Sequence, residues 1–418
     1  MTTTPGHHTL EKRHLTIGFI PLTDCAPLIV AKQRGLYEKF GLEVSLSKET
    51  SWANIRDKVA LGILDAAQML ATMPLAMSLG IGPVKKPTIT ALVLDLNGNA
   101  VTLSESLYRR LEKFDAEAAR QRPLSAALLK RFIEHERAVG SKPLTFATVF
   151  PTATHTYELR YWLAGAGIDP LTDIRVEVVP PPQMVARLAE GMIDGCCVGE
   201  PWNSMAVAQG VGHIVISGYE IWNNRPEKVL GVTEEWALQH PNTHRALMLA
   251  LLEACQWLDQ SEHRREAAAL LAQGIHVGAP ETVLRQSLIG QLRCDSGTLP
   301  RRIDDFHVFH RYAANFPWQS HALWYLHQMV RWGELDAGGQ DLYQVAGQCF
   351  RTDLYRKTAG VMGFALPPDD FKKEGMHQLP YMLTSNASVI ELGADYFCDG
   401  ASFDVTPAAN TTTRESTK

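Results

Sequence analysis

Three short runs in this 418-residue chain place hydrogen-bond donors where the backbone can donate as well: Ser51-Trp52, Pro151-Thr152-Ala153-Thr154-His155 and Gly199-Glu200-Pro201-Trp202. Each follows a stretch that reads as a strand and opens one that reads as a helix. A helix start presents unpaired N–H groups and a partial positive charge, so such a junction suits an anion. The indole of Trp52 and the imidazole of His155 would add side-chain N–H donors, and Gly199 would let the backbone come close to a ligand. The chemistry this set could do is reversible capture of a small anion. Taken singly, each residue has a structural use too: a tryptophan anchors a core, a histidine caps a turn, and Gly-Glu-Pro is a common turn.

Catalytic signatures are missing from the sequence. No glycine-rich loop ends in Lys-Ser/Thr, no GxGxxG opens a helix, and no Gly-x-Ser-x-Gly elbow occurs. His7 and His8 are adjacent in a polar leader, and His307 and His310 lack a Cys or carboxylate set beside them, so no metal site and no cofactor are expected. Cys196 and Cys197 are neighbours in an apolar run, where side chains of a strand face opposite ways, which argues against a redox pair.

The elements that position the three junctions alternate. Strands are expected at 15–21, 42–46, 63–70 and 88–96, with helices from Thr23 or Asp24 to Phe40, from Ser51 and over 74–79. A second pass begins near Leu144: strand 144–150, a helix from Thr154, strand 174–180, helix 183–191, strand 193–198, a helix from Pro201 and strand 213–217. Gly62-Ile63-Leu64-Asp65-Ala66 echoes Gly191-Met192-Ile193-Asp194-Gly195, each after an amphipathic stretch. The fold class expected is therefore α/β, with two topologically similar lobes and largely parallel sheets. Residues 104–141 read as a charged helical insertion, and 242–357 as mainly helical.

Composition is that of a globular protein, 45% hydrophobic and 20% charged, with a net charge of −5 that favours neither nucleic acid nor anionic lipid. An anion site must therefore be local. Residues 1–14 are polar, Leu15–Leu22 is short and broken by Gly18 and Pro21, and seven scattered cysteines (25, 196, 197, 255, 294, 349, 398) read as free thiols. A cytoplasmic location without a membrane is the expectation.

The runs LTIGFIPLTDCAPLIVAKQRGLYEKFGLEVSLSKETSWANIRDKVA (15–60), THTYELRYWLAGAGIDP (154–170), VGEPWN (198–203), PEKVLGVTEEW (226–236) and ANFPWQSHALWYLHQMVRWG (314–333) strongly resemble the nitrate- and bicarbonate-binding proteins of bacterial ABC importers, over about residues 15–405. The resemblance implies a type II periplasmic-binding-protein-like clamp: lobe I from 15–100 plus 218–405, lobe II from 101–217 with the insertion, a flexible segment 1–14 and a disordered tail 406–418. It also implies ligand contacts from Trp52, Asn99, His155, Gly199 and Lys228; Asn99 stands where relatives often have Gln, one methylene longer, so that a water could bridge. With no export segment in view, the chain looks most like the cytoplasmic nitrate/nitrite sensor branch (NasS-like). There the implied partner is an RNA-binding transcription antiterminator with an ANTAR domain (NasT-like), and the alternative role is substrate-binding component of a nitrate/nitrite ABC importer.

Nitrate and nitrite only accept hydrogen bonds, so a pocket of N–H donors and one lysine suits them, whereas bicarbonate also donates and would benefit from a carboxylate. Lys228 thus favours nitrate or nitrite. A protonated His155 would donate from both ring nitrogens, which predicts tighter binding as pH falls. The apolar positions among the charges of 104–141 mark that insertion as a candidate partner-docking surface.

Overall fold

The computed structural model describes residues 9–405 apart from Ala337 and Ser385–Ser388. The tail 406–418 and most of the leader, 1–8, lie outside the described residues. Thr9–Arg13, expected to be flexible, are tied down: the Glu11 carboxylate accepts from the Thr243 N–H at 2.9 Å, and Lys12 pairs with Asp65 at 2.6 Å.

The first half of the chain builds β1 (His14–Phe19), β2 (Glu43–Lys48), β3 (Ala66–Leu70), β4 (Thr88–Asn97) and β5 (Asn99–Ser104). Then come β6 (Thr145–Thr148), β7 (Arg175–Val178), β8 (Gly195–Gly199), β9 (Gly212–Ser217) and β10 (Pro226–Thr233). Two-residue strands follow: β11 (Gln291–Leu292), β12 (Arg301–Arg302) and β13 (His307–Val308). One sheet has the order β13-β4-β10-β3-β1-β2 and the other β7-β6-β8-β5-β9. In each, four strands share one direction, and an antiparallel strand entered directly from the other lobe lies among them: β10 between β3 and β4, and β5 between β8 and β9, with β13 a further antiparallel strand at the edge of the first sheet. The two-lobed α/β fold is as expected. The crossing strands are not: neither 99–104 nor 226–233 reads as a strand from alternation, because both are buried on each face and carry no polar side to betray a period of two.

The echoed pentapeptides are one device used twice. Asp65 and Asp194 each accept from the N–H of a residue in the parallel strand beside the one they lead into, Thr16 of β1 at 3.0 Å and Thr145 of β6 at 2.8 Å. Each also donates its own N–H back to that residue's carbonyl, at 2.9 and 2.7 Å.

The chain crosses between lobes at Asn97-Gly98 and again at Asn224-Arg225. Asn97 and Gly98 both have positive φ, 63° and 83°. At Gly98 a Cβ would stand 2.3 Å from the His307 ring, so only glycine fits. Asn97 N–H donates to the Arg225 carbonyl at 3.1 Å, which holds the two crossings side by side.

The insertion folds as helices Glu105–Phe114, Ala116–Arg120 and Ala126–Ala138. Its apolar positions face inward: Leu107, Tyr108, Leu111, Leu129, Phe132 and Ile133 are all buried in the second lobe's core. The observation that marked it as a docking surface is thus accounted for by packing. Helix Pro241–Leu258 packs on Ala26–Gln33 of the first lobe. Helix Gln319–Arg331 and the turn after it instead reach the second lobe: Tyr325 packs on Tyr157, Trp324 on Tyr161, and Glu334 accepts from the Tyr157 hydroxyl at 2.5 Å and pairs with Arg160 at 2.7 Å. Among the described residues no helix is long and apolar enough to cross a membrane.

Candidate functional site

The five residues of interest come from five separate elements and meet where the lobes touch, at the carboxyl ends of the parallel strands. Trp52 opens helix Trp52–Ala60, whose Ser51 cap accepts from Asn54 N–H at 3.2 Å; His155 lies in the first turn of helix Thr154–Gly165; Asn99 and Gly199 face each other in the β5–β8 ladder; Lys228 lies on β10. All are buried, with Trp52, Asn99, His155 and Lys228 at 0% exposure. Lys228 Nζ stands 5.5 Å from the centre of the Trp52 ring. A surface groove of about 450 Å³ lined by Lys12, His14 and Asp65 is at the opposite ends of the first sheet's strands and touches none of them. Anything bound at the cluster must enter by parting the lobes, which are joined here by Thr23 N–H to the Glu200 carbonyl at 2.8 Å and the Thr72 hydroxyl to the Thr152 carbonyl at 2.5 Å.

The surroundings correct one expectation. The lysine is not a lone cation among donors: its ammonium touches Glu227 Oε1 at 2.6 Å and Asp24 Oδ2 at 2.8 Å. A second buried cation, Arg225, pairs with Glu158 at 2.6 Å and with Glu227. Asn99 is taken up by this frame, its carbonyl accepting from Arg225 Nη2 at 2.5 Å and its amide donating to Glu158 at 3.0 Å and Glu227 at 3.4 Å. Its hydrogen-bonding capacity is spent on the frame, where a ligand contact was expected of it. Gly218 is needed beneath this contact, since a Cβ there would lie 1.9 Å from Asn99 Oδ1.

A bulge brings Glu227 and Lys228 to the same place. Against β4, Pro226 pairs with Leu96 and Lys228 with Asp95, so Glu227 is the extra residue. Neighbours that would face opposite ways on a regular strand both reach the cluster. Gly199 faces the first lobe across the cleft: a Cβ on it would meet Leu22 at 3.4 Å and Asp24 Oδ2 at 3.5 Å.

Two N–H-bearing groups are left over. Trp52 Nε1 is buried without a hydrogen-bond partner, as is His155 Nε2, which lies 3.3 Å from Glu227 Oε1 but out of line for a bond. His155 Nδ1 is 3.3 Å from the Thr154 hydroxyl, which itself donates to Glu227 Oε1 at 3.0 Å; the tautomer protonated on Nδ1 donates to that hydroxyl, and only the tautomer protonated on Nε2 offers a ligand a donor. A buried donor without an acceptor is costly, and ligands are one common reason for it.

Burial decides the protonation states. His155 is pushed down to about 3 by burial, against the pull of Glu227, so it is neutral at physiological pH and is not the group that would make binding pH-dependent. Asp24 is raised to about 7, by burial first, with Lys228 opposing; Glu158 and Glu200 are raised to about 7, again by burial. Asp95 is raised well above the ordinary range for the same reason. Burial also works against ionising Glu227, but the fields around it win and hold it low, Lys228 and Arg225 supplying them at neutral pH because His155 is uncharged there.

These shifts set a stability trend. A carboxyl raised from about 4 to about 7 binds more protons folded than unfolded, so stability falls as pH rises through that window. The histidines held down to about 3 or 4 (155, 307, 244) oppose this only below their ordinary value of about 6.5. Thermal melts of the unliganded protein should therefore show Tm lower at about pH 8.5 than at about pH 6.5, by a few degrees. A Tm that rises across this range would contradict the assigned protonation states.

Sequence reading missed Asp24, Glu158, Arg225 and Glu227. A usable signal was present for three of them: Arg225, Glu227 and Lys228 stand together at the head of an otherwise apolar strand, and Glu158 lies one helical turn beyond His155.

The chain matches the NMT1-like family over residues 8–272. It is 42% identical over 361 residues to the nitrate import ATP-binding protein NrtC of Synechocystis, covering 86% of this chain and 52% of that one. It is 39% identical over 335 residues to the bicarbonate transport ATP-binding protein CmpC of Synechococcus elongatus, covering 80% of this chain and 47% of that one. The chain thus spans about half the length of these curated relatives, and it lacks the phosphate-loop signature of a nucleotide site. The crystal structure of the periplasmic nitrate-binding protein NrtA from Synechocystis superposes with a TM-score of 0.82 at 29% identity, covering 95% of this chain and 97% of that one.

Proposed function

The chain belongs to the NMT1-like family, and from that premise we propose that it binds nitrate or nitrite between its two lobes as the substrate-binding component of an ABC importer. The observation that carries this reading is the unmated indole N–H of Trp52 beside the buried ammonium of Lys228. An acceptor-only anion settled between them would satisfy that donor, favour the His155 tautomer that donates from Nε2, and join groups contributed by both lobes, which favours the closed clamp. Calorimetric titration with nitrate, nitrite, chloride and bicarbonate tests it: the first two are expected to bind and the others not. Trp52→Phe keeps an aromatic ring, though a smaller one, and removes the N–H, and should weaken nitrate binding roughly 10- to 100-fold, the worth of one hydrogen bond to a charged group. Unchanged affinity in that variant would remove the reading's central observation.

One observation favours bicarbonate as a second reading. The Asp24 and Glu227 carboxylates at the lysine are the acceptors that bicarbonate's hydroxyl would use; binding of bicarbonate alone in the same titration would establish it. On role, the free thiols, with Cys398 exposed, support the cytoplasmic sensor that governs an ANTAR-type RNA-binding antiterminator. Anion-dependent release of such a protein from the purified chain would favour the sensor, and stimulation of a cognate importer's ATPase the transport role.

A further inference from the structure

Asp24 has a place in this site that goes beyond pairing. Its Oδ1 accepts from the Gln68 amide, and Gln68 is itself held by the Ile20 N–H, which donates to its Oε1 at 2.9 Å, so the carboxyl group is fixed in position. The other oxygen, Oδ2, has no hydrogen bond of good geometry, stands 2.8 Å from Lys228 Nζ, and looks across the cleft at Gly199. This is where an oxygen of a bound anion would sit if the lysine and the second lobe were to hold it together. The groups facing Asp24 are Lys228 and Glu227 from β10, Asp95 from β4 and the neutral His307 from β13. With Arg225 and its partner Glu158 beyond them, four carboxyl groups surround two permanent cations, and a further anion is repelled from Lys228 while every one of them is charged.

We propose that Asp24 is a built-in counter-ion that holds the anion's place on Lys228 in the empty clamp and takes up one proton from water when the anion binds. The inference rests on the nitrate or nitrite reading above. No bond to the anion is made: the carboxylate becomes a carboxylic acid, its charge is replaced by that of the ligand, and its new O–H can donate toward it. The acid–base balance already suits this, since burial puts the carboxyl at about 7, and a nearby anion pushes it further up. Loading is therefore favoured on the more acidic side of neutrality, through the aspartate and not through His155.

The test is calorimetry of nitrate binding to the full chain in phosphate and in Tris, whose ionisation heats differ. Uptake should approach one proton per anion at about pH 8.5 and vanish near about pH 5.5, with affinity falling up to about tenfold per pH unit above neutrality. Asp24→Asn should bind nitrate with no uptake and flat pH dependence, while Glu158→Gln, which removes the other carboxyl of the lysine–arginine cluster poised near 7, should keep the uptake. Wild-type binding without uptake at the alkaline end overturns the proposal without any variant, as does uptake that persists in Asp24→Asn or disappears in Glu158→Gln. If the wild type binds neither nitrate nor nitrite at any pH in the range, the ligand reading itself falls.

Discussion

Lys228→Met should reduce nitrate and nitrite affinity by at least about a thousandfold, the equivalent of about 4 kcal/mol. A unit charge about 3 Å from a monoanion is worth roughly 5 kcal/mol at an effective dielectric of about 20, before desolvation. The structure adds a second effect. Methionine leaves Asp24 and Glu227 buried without their shared cation, and breaking a buried pair costs about 3–5 kcal/mol of folding stability, less whatever protonation recovers. Glutamate at this position would crowd a third carboxylate against the same two, so methionine is the cleaner substitution. Loss of binding and loss of stability are separable: Asp24→Asn in the Lys228→Met background should recover part of the urea midpoint and none of the affinity. Recovery of binding in the double variant would mean that the lysine does not hold the anion.

Arg225→Leu is expected to be the most destabilising single change in the cluster, by about 3–5 kcal/mol in urea unfolding, or a Tm drop on the order of 3–6 °C. The guanidinium is wholly buried beside the crossing between lobes and ties Glu158 of one lobe to Glu227 and Asn99 of the crossing strands. Removing it strands two carboxylates and the Asn99 carbonyl together. Burial forces the carboxylates toward protonation, so the deficit should shrink as pH falls toward about 5, where both can be neutral. A deficit that stays constant between about pH 5 and 8 would place the arginine's contribution in packing and not in charge.

How much of this was legible in the residues follows from where each signal lives. The parallel strands and the helices that leave them announce themselves through apolar runs, caps and glycine stops, so Trp52, His155 and Gly199 could be placed at helix or strand ends. The crossing strands could not be read in the same way. Asn99–Ser104 and Pro226–Thr233 are buried throughout, and a strand covered on both faces lacks alternation. The bulge at Glu227 is invisible for a related reason: it is a property of register between two distant segments, and it alone lets Glu227 and Lys228 share a target. The paired carboxylates were missed because a donor count looks for what a ligand wants and overlooks what a buried lysine must have before the ligand comes.

The exchange of strands between the lobes also orders biogenesis. By Ser217 the second lobe's five strands have all been synthesised, whereas the first lobe's sheet still has a gap between β3 and β4 that only Pro226–Thr233 can fill. On the ribosome the inner part of the chain can consolidate while the flanking part waits as a split half-sheet, its apolar edges unpaired. The first lobe is not a continuous stretch of chain, since the second is inserted into it, so the two cannot be expressed apart by a single cut, and a nascent chain stalled before residue 226 would be a client for chaperones and not a half-working clamp.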